Sequence, residues 1–223
     1  MIAIVDYGMG NLRSVQKAFE RVGAQAIVLH EPDQTGSCCH LVLPGVGAFA
    51  DGMDQLKRRG WPDAIRSFVA SGRPFFGVCL GMQLLFDSSE ENAASADQPV
   101  GGLGLLPGQV VRFTGPAYGP GKLKVPHMGW NTLKWDRHDP LLRKIQPGSS
   151  VYFVHSYHAV PATDRAETII SARTDYGVLF CASLWCQNVW ATQFHPEKSQ
   201  RVGLAMLSNF AALTECSAVS WPL

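Results

Sequence analysis

The stretch Pro74 to Phe86, PFFGVCLGMQLLF, decides how the rest of the chain is read. It opens as an apolar, aromatic run (Phe75, Phe76, Val78), tightens at Gly77 and Gly81, and continues as Met82, Leu84, Leu85 and Phe86 at helix-like spacing. A buried strand, a sharp turn and a helix are expected from that pattern. Cys79 stands at the turn with a glycine two residues to either side. This is the G-x-C-x-G form of a nucleophile elbow, in which a strained backbone holds the reactive atom out over the sheet edge. A thiol there also lies at a helix N-terminus, whose partial positive charge favours thiolate, the attacking species. The Leu80 N–H would point at a developing oxyanion. Free cysteines are usually found in apolar cores, so the pentapeptide by itself leaves both readings open.

Working outward, Met1 to Val5 reads as a central strand of a parallel sheet. The turn Asp6-Tyr-Gly-Met-Gly-Asn11 follows, and Leu12, Val15, Ala18, Phe19 and Val22 then recur on one helical face, with Asn11 as N-cap. Gly8 and Gly10 do not complete a dinucleotide fingerprint, because its third glycine position is Arg13. Ala26 to Leu29 and Leu41 to Leu43 supply two more strands. The second ends in Pro44-Gly-Val-Gly-Ala-Phe49, a glycine-rich turn at a strand's C-terminal end, where open α/β sheets place ligands. Such a loop is a plain tight turn unless an elbow nearby lacks its second oxyanion donor, as this one does. Met53 to Val69 reads as a helix interrupted near Trp61-Pro62.

Helix and strand alternate up to the elbow, which predicts a mostly parallel open α/β sheet flanked by helices, flavodoxin-like in kind. After Phe86 the pattern changes. Ser88 to Pro99 is polar and reads as an exposed loop. Shorter strand-like pieces follow (Gln109 to Phe113, Val151 to Val154, Thr168 to Ala172, Leu179 to Ser183) and are expected as antiparallel additions to one edge of that sheet. With no repeat or low-complexity linker, residues 1–223 read as a single domain, with 214–223 as a tail.

Composition narrows the function. The chain has 223 residues, 17% charged and 46% hydrophobic, with a formal net charge of +1. Neither a global field nor a run of like charges argues for nucleic acid or an anionic membrane, and no apolar run approaches the ~20 residues of a membrane span. Cysteines stand at 38, 39, 79, 181, 186 and 216, with no CxxC pair and no histidine spacing suited to zinc. No metal or cofactor is expected. The opening run meets Asp6 almost at once, unlike a secretory leader, so a reducing cytoplasm with free thiols is expected. Cys38 and Cys39 read as loop residues open to oxidation.

Far along the chain, Val189 to Phe194 reads as a strand running into His195-Pro196-Glu197. Residues two apart on an extended chain project to one side, so His195 and Glu197 address one point. A cysteine nucleophile needs an imidazole to take and return a proton and a carboxylate to orient it. Cys79, His195 and Glu197 meet that need.

GVCLGMQ together with FHPE resembles the triad-type, class I glutamine amidotransferases. Within them, IVDYGMGNLRSV, LPGVGAF, VPHMGWN (125 to 131) and YFVHSYH (152 to 158) are similar to the glutaminase subunits of imidazole glycerol phosphate synthase in histidine biosynthesis. The resemblance implies that Cys79 attacks the glutamine side-chain amide, His195 shuttles the proton and Glu197 orients His195. It implies an oxyanion hole from Leu80 and the Gly45-Val46-Gly47 loop, whose donor would be a Val46 or Gly47 N–H after a peptide rearrangement. Gly45, Gly47, Gln83, His155, Ser156 and Tyr157 match glutamine-binding positions. A cyclase subunit, a (β/α)8 barrel, is implied as the partner in a heterodimer that receives ammonia through a tunnel. Asn11, His127, Met128, Trp130, Tyr152 and Lys198 match positions near that interface. Competing readings are a glutaminase serving a different synthase, a docking subunit without catalysis, and a cysteine hydrolase of the peptidase or chaperone type.

Overall fold

The structure, a computed structural model, describes residues 1–93, 95 and 98–214. Its elements in chain order are β1 (Ile2–Val5), α1 (Leu12–Arg21), β2 (Ala26–Leu29), β3 (His40–Gly45), α2 (Phe49–Arg58), α3 (Trp61–Ala70), β4 (Phe75–Cys79) and α4 (Leu80–Gln83). Next come β5 (Phe86–Ser89), β6 (Val100–Gly101), β7 (Leu106–Arg112), β8 (His127–Thr132), β9 (Ser150–His155) and β10 (Tyr157–Pro161). The chain continues through α5 (Thr163–Ile169), β11 (Ile170–Asp175), β12 (Leu179–Cys186), β13 (Val189–Thr192) and α6 (Gln200–Ala211).

The main sheet runs β11-β12-β13-β4-β3-β1-β2. From β13 to β2 every pairing is parallel, and β12 and β11 continue the β13 edge antiparallel. The strands are apolar on both faces because helices cover both. Ile2, Ile4, Val42, Phe76 and Val78 pack on the side of α1 and α6, with Phe19, Met206 and Phe210. Ala3, Val5, Leu41, Leu43 and Phe75 pack on the other side, with Phe49, Trp61, Ile65 and Phe68 of α2 and α3. The mostly parallel, helix-flanked sheet with an antiparallel edge expected from the sequence is the one observed.

The elbow's glycines hold β4 and α4 against each other. A Cβ on Gly81 would lie 1.8 Å from the Leu43 carbonyl oxygen, and one on Gly77 would lie 2.9 Å from the Gly81 carbonyl. No side chain fits at either place, so the turn is as tight as the backbone allows.

Several local expectations are corrected. The elbow helix is a single turn, and Phe86 begins strand β5 instead of extending it. Leu84, Leu85 and Phe86 are all fully buried, so the run is enclosed on every side and has no solvent-facing stripe of the kind a surface helix needs. The stretch 88–99 is not simply an exposed loop. Ser88 and Ser89 belong to β5, and Ser89 is buried with its hydroxyl accepting from the Glu91 N–H. Residues 94, 96 and 97, and the tail from 215 on, lie outside the described residues. Met53 to Val69 is two helices separated by Gly60, and Trp61-Pro62 opens the second, where a proline costs no hydrogen bond. Asn11 occupies the N-cap position of α1, but only its carbonyl is used, accepting from Ser14 and Val15, and its side chain caps nothing. Cys38 is buried, while Cys39 is exposed.

The largest correction concerns the short strands. Thr168 to Ala172 and Leu179 to Ser183 fall in or beside the antiparallel edge as expected. Gln109 to Phe113 and Val151 to Val154 do not. The first belongs mostly to a separate sheet, β10-β7-β5-β6, and the second to the hairpin β8-β9. Strand length and alternation are the same in either sheet, so pairing partners follow only from tertiary packing.

Gly81→Ala is expected to destabilise the chain by at least about 2 kcal/mol, as overpacking against fixed backbone does. Gly36→Ala, where a Cβ meets nothing within 4 Å, should stay within about 0.5 kcal/mol of wild type. Urea unfolding of both variants checks the pair.

Candidate active site

The parallel register brings three strand ends to one edge. Gly45 at the end of β3 pairs with Cys79, and Thr192 at the end of β13 pairs with Val78. The residues that follow each strand therefore meet above β4. Cys79 has φ 55° and ψ −110°, a conformation that non-glycine residues adopt at a cost of about 1–3 kcal/mol and that turns the side chain out of the sheet.

A cavity of about 310 Å³ opens at this point, lined by Val46, Gly47, Cys79, Leu80, Gln83, Glu91, Pro126, Val154, His155, Ser156, Tyr157 and His195. Every residue expected to bind glutamine or hold the oxyanion lines it except Gly45, which is buried beneath, against the Tyr7 hydroxyl and Leu80. Glu91, Pro126 and Val154 complete the wall and were not anticipated. Glu91 sits in a polar run that carries no periodic signal, and its position follows from β5 ending beside α2, where its carboxylate accepts from the Phe49 N–H at 2.8 Å.

His195 is positioned by its main chain. Its N–H donates to the Tyr152 carbonyl at 3.0 Å, and Ser199 Oγ donates to the His195 carbonyl at 2.6 Å while accepting from the Tyr152 N–H at 3.0 Å. Strand β9 thus clips the segment after β13 in place. The ring's Nδ1 donates to Glu197 Oε1 at 2.8 Å, and both side chains are only 2% exposed. The Nε2 atom is buried without a hydrogen-bond partner among the described residues. Cys79 is nonetheless close enough to govern the ring's charge. Burial works to lower the His195 pKa, but the neighbouring sulfur and the Glu197 carboxylate outweigh it and raise it to about 10. The ring and the Cys79 sulfur are therefore neighbours on one wall of the cavity.

His155 and His127 show the opposite behaviour. Burial is the main influence on each, pushing His155 down to about 3 and His127 down to about 4. His155 keeps one bond to the Tyr157 carbonyl at 2.8 Å, and the two rings meet at 3.1 Å.

The residues expected at a partner interface divide by strand alternation. On β8, Met128 is 63% and Trp130 49% exposed, and Trp130 stands beside half-buried Tyr152 of β9. Asn11 and Lys198 are exposed as well. His127 has the opposite parity on β8 and is 3% exposed, stacked between Phe153 and Tyr176. Of the six residues expected near that interface it alone is buried, beneath the surface that Met128 and Trp130 present. Among the described residues no cluster of histidine, cysteine and carboxylate groups could hold a metal, and no helix is long and apolar enough to cross a membrane.

The lowered histidines give a pH prediction. In the folded chain His127 stays neutral down to about 4, whereas unfolded histidine protonates near 6.5. Between those values the unfolded state binds the extra proton, so this contribution to stability is complete above about 6.5 and is lost progressively on acidification. His127→Phe should flatten the fall in unfolding free energy between pH 6.5 and 5 by up to about 1.4 kcal/mol per pH unit. Equal slopes in urea titrations of wild type and variant would show that His127 titrates normally.

Residues 3–213 match the family model described as glutamine amidotransferase class-I. The chain is 54% identical over 211 residues to the imidazole glycerol phosphate synthase subunit HisH of Syntrophotalea carbinolica, covering 94% of this chain and 98% of that protein. It is 49% identical over 213 residues to HisH of Geobacter sulfurreducens, covering 95% and 98%. A crystal structure of a glutamine amidotransferase superposes with a TM-score of 0.68 at 20% identity over 96% of this chain and 100% of that one. PurLQS of Thermotoga maritima does so with a TM-score of 0.66 at 18% identity over 94% of each. Near-complete sequence matches and a shared sheet place this chain in the class I glutamine amidotransferase family, among the HisH subunits of imidazole glycerol phosphate synthase.

Proposed function

We propose that this chain hydrolyses L-glutamine to glutamate and ammonia through a thioester on Cys79, and passes the ammonia to a cyclase subunit that makes imidazole glycerol phosphate and AICAR. The observation that carries this reading is the shared cavity, where Cys79 and His195 face one space with Glu197 holding the imidazole from behind.

Cys79 Sγ attacks the side-chain amide carbon of glutamine. The oxygen becomes an oxyanion, for which the donors in this reading are the N–H of Leu80 and, after a peptide rearrangement, an N–H of the Val46–Gly47 turn. Because the sulfur and Glu197 favour the imidazolium, His195 enters the reaction charged and gives its proton to the departing nitrogen, which leaves as ammonia. The neutral ring then takes a proton from water, the hydroxide attacks the thioester, and glutamate departs as Cys79 is restored. Glu197 stays ionised throughout and keeps the ring oriented. The Glu91 carboxylate suits the substrate's α-ammonium, and Ser156 and Tyr157 on the facing wall are assigned to its α-carboxylate.

Ammonia in neutral water is almost wholly protonated and ceases to be a nucleophile, so its transfer requires a covered route. We assign the docking face to Met128, Trp130, Tyr152, Asn11 and Lys198, whose exposed tryptophan and methionine are the residue types that anchor interfaces. A (β/α)8 cyclase seated there as the second member of a heterodimer would close the cavity to solvent. A docking subunit without catalysis would not need an elbow held in a strained conformation.

Cys79→Ser is expected to abolish glutamine-dependent synthesis by the complex and to leave ammonia-dependent synthesis intact; retained glutamine turnover would sink the nucleophile assignment. Trp130→Ala should weaken association with the cyclase subunit by roughly 30-fold, the scale of an interface hot spot. Titration calorimetry that finds unchanged affinity would move the docking face elsewhere.

A further inference from the structure

Six side chains and one main-chain carbonyl form an unbroken hydrogen-bonded chain from the outer strand β8 to the Cys79 sulfur. From the surface inward, Asn131 Nδ2 lies 3.3 Å from His127 Nε2, and His127 Nδ1 lies 3.1 Å from His155 Nε2. His155 Nδ1 is 2.8 Å from the Tyr157 carbonyl. That carbonyl also accepts from Gln83 Nε2 at 3.0 Å, and the same amide donates to Gln193 Oε1 at 3.0 Å. Gln193 Nε2 then donates to Cys79 Sγ at 3.8 Å.

Only one proton arrangement satisfies every link. A carbonyl only accepts, so His155 carries its proton on Nδ1 and presents Nε2 as an acceptor. His127 must therefore carry its own proton on Nδ1, and its Nε2 accepts from the Asn131 amide. A proton added to either ring would set N–H against N–H, and the burial that keeps both rings neutral is consistent with this polarity. The far end is anchored too, since Asn131 Nδ2 reaches the Asp175 carbonyl at 2.9 Å and its Oδ1 accepts from the Thr132 N–H at 2.8 Å.

Neither His127 nor Gln193 lines the cavity, and the proposed chemistry gives neither a role. We propose that they are positioning residues. Through this chain, β8, the strand that presents Met128 and Trp130, fixes where the Cys79 sulfur sits. Gln193 supplies the last donor, and an N–H directed at a sulfur that carries negative charge is the stronger kind of hydrogen bond. The links between His127 and His155, Gln83 and Gln193, and Gln193 and Cys79 are buried, so displacement of β8 reaches the nucleophile without passing through substrate. The catalytic consequence rests on the glutaminase reading above, whereas the proton arrangement does not.

Two variants test it in the complete complex with the cyclase subunit and its nucleotide ligand. Gln193→Met keeps the side chain's length and removes the donor. His127→Phe keeps a ring between Phe153 and Tyr176 and removes the Nδ1 proton. Each is expected to lower kcat for glutamine roughly tenfold, the scale of one hydrogen bond to a charged group, with KM within about twofold. Ammonia-dependent synthesis should remain at the wild-type level. The double variant should lose no more than the larger single loss, because both changes break one chain. Additive losses, an unchanged kcat in either variant, or an effect confined to KM would overturn the proposal. Nitrogen-15 NMR of the wild-type imidazoles provides a readout that needs no variant to fold and no turnover. Protons on Nδ1 of both His127 and His155 at neutral pH support the chain, and an Nε2 proton on either ring refutes it. Correct tautomers in a wild-type complex that never hydrolyses glutamine would instead fail the glutaminase reading.

Discussion

Everything at the site depends on how closely β4 and α4 approach β3. The Gly81 backbone lies against the Leu43 carbonyl, with no room for a Cβ, and Gly77 closes the same turn from below. That contact forces Cys79 into its left-handed φ and aims it away from the sheet. A residue so strained persists only where its surroundings over-determine it. Here they do, because β4 is paired on both sides and the elbow's apolar flanks, Val78, Leu80 and Met82, are buried on opposite faces of the sheet.

Burial disfavours the charged form of each histidine around the cavity, but the outcome differs from ring to ring. His195 is driven toward its charged form because a carboxylate and a sulfur adjoin it, although desolvation opposes that. Burial holds His155 and His127 neutral, because no carboxylate or sulfur adjoins them to offset it. One imidazole is thereby prepared to give up a proton, and two are kept as fixed hydrogen-bonding links. The difference lies in the partners and not in the degree of exposure.

The smaller sheets supply the wall that the main sheet lacks. An open parallel sheet offers a nucleophile at its edge but no enclosure. The β8-β9 hairpin brings His155 over the elbow and clips His195 through Tyr152, while β5 and β10 bring Glu91 and Tyr157 to the remaining sides. The hairpin's outer face carries Met128 and Trp130, and its inner face carries His127 and His155. One two-stranded element therefore serves both the cavity and the exposed surface.

By itself the sequence determined the elbow, the alternation of strands and helices up to it, and the pairing of Cys79 with His195 and Glu197. These are local: a glycine two residues to either side of a cysteine, a period of two or 3.6, and a His-Pro-Glu run each act over a few residues. Gln193 was within reach of the same logic, since it lies two residues before His195, but a lone glutamine in a strand carries no chemical signal. Only the tertiary structure decided that Gln109 to Phe113 and Val151 to Val154 leave the main sheet, that Phe86 turns into a strand, that His127 faces inward and that Glu91 reaches the cavity. Those outcomes depend on which distant backbone groups pair and which side of a strand meets the core. A strand's own residues are equally compatible with several partners until the rest of the chain is packed around it.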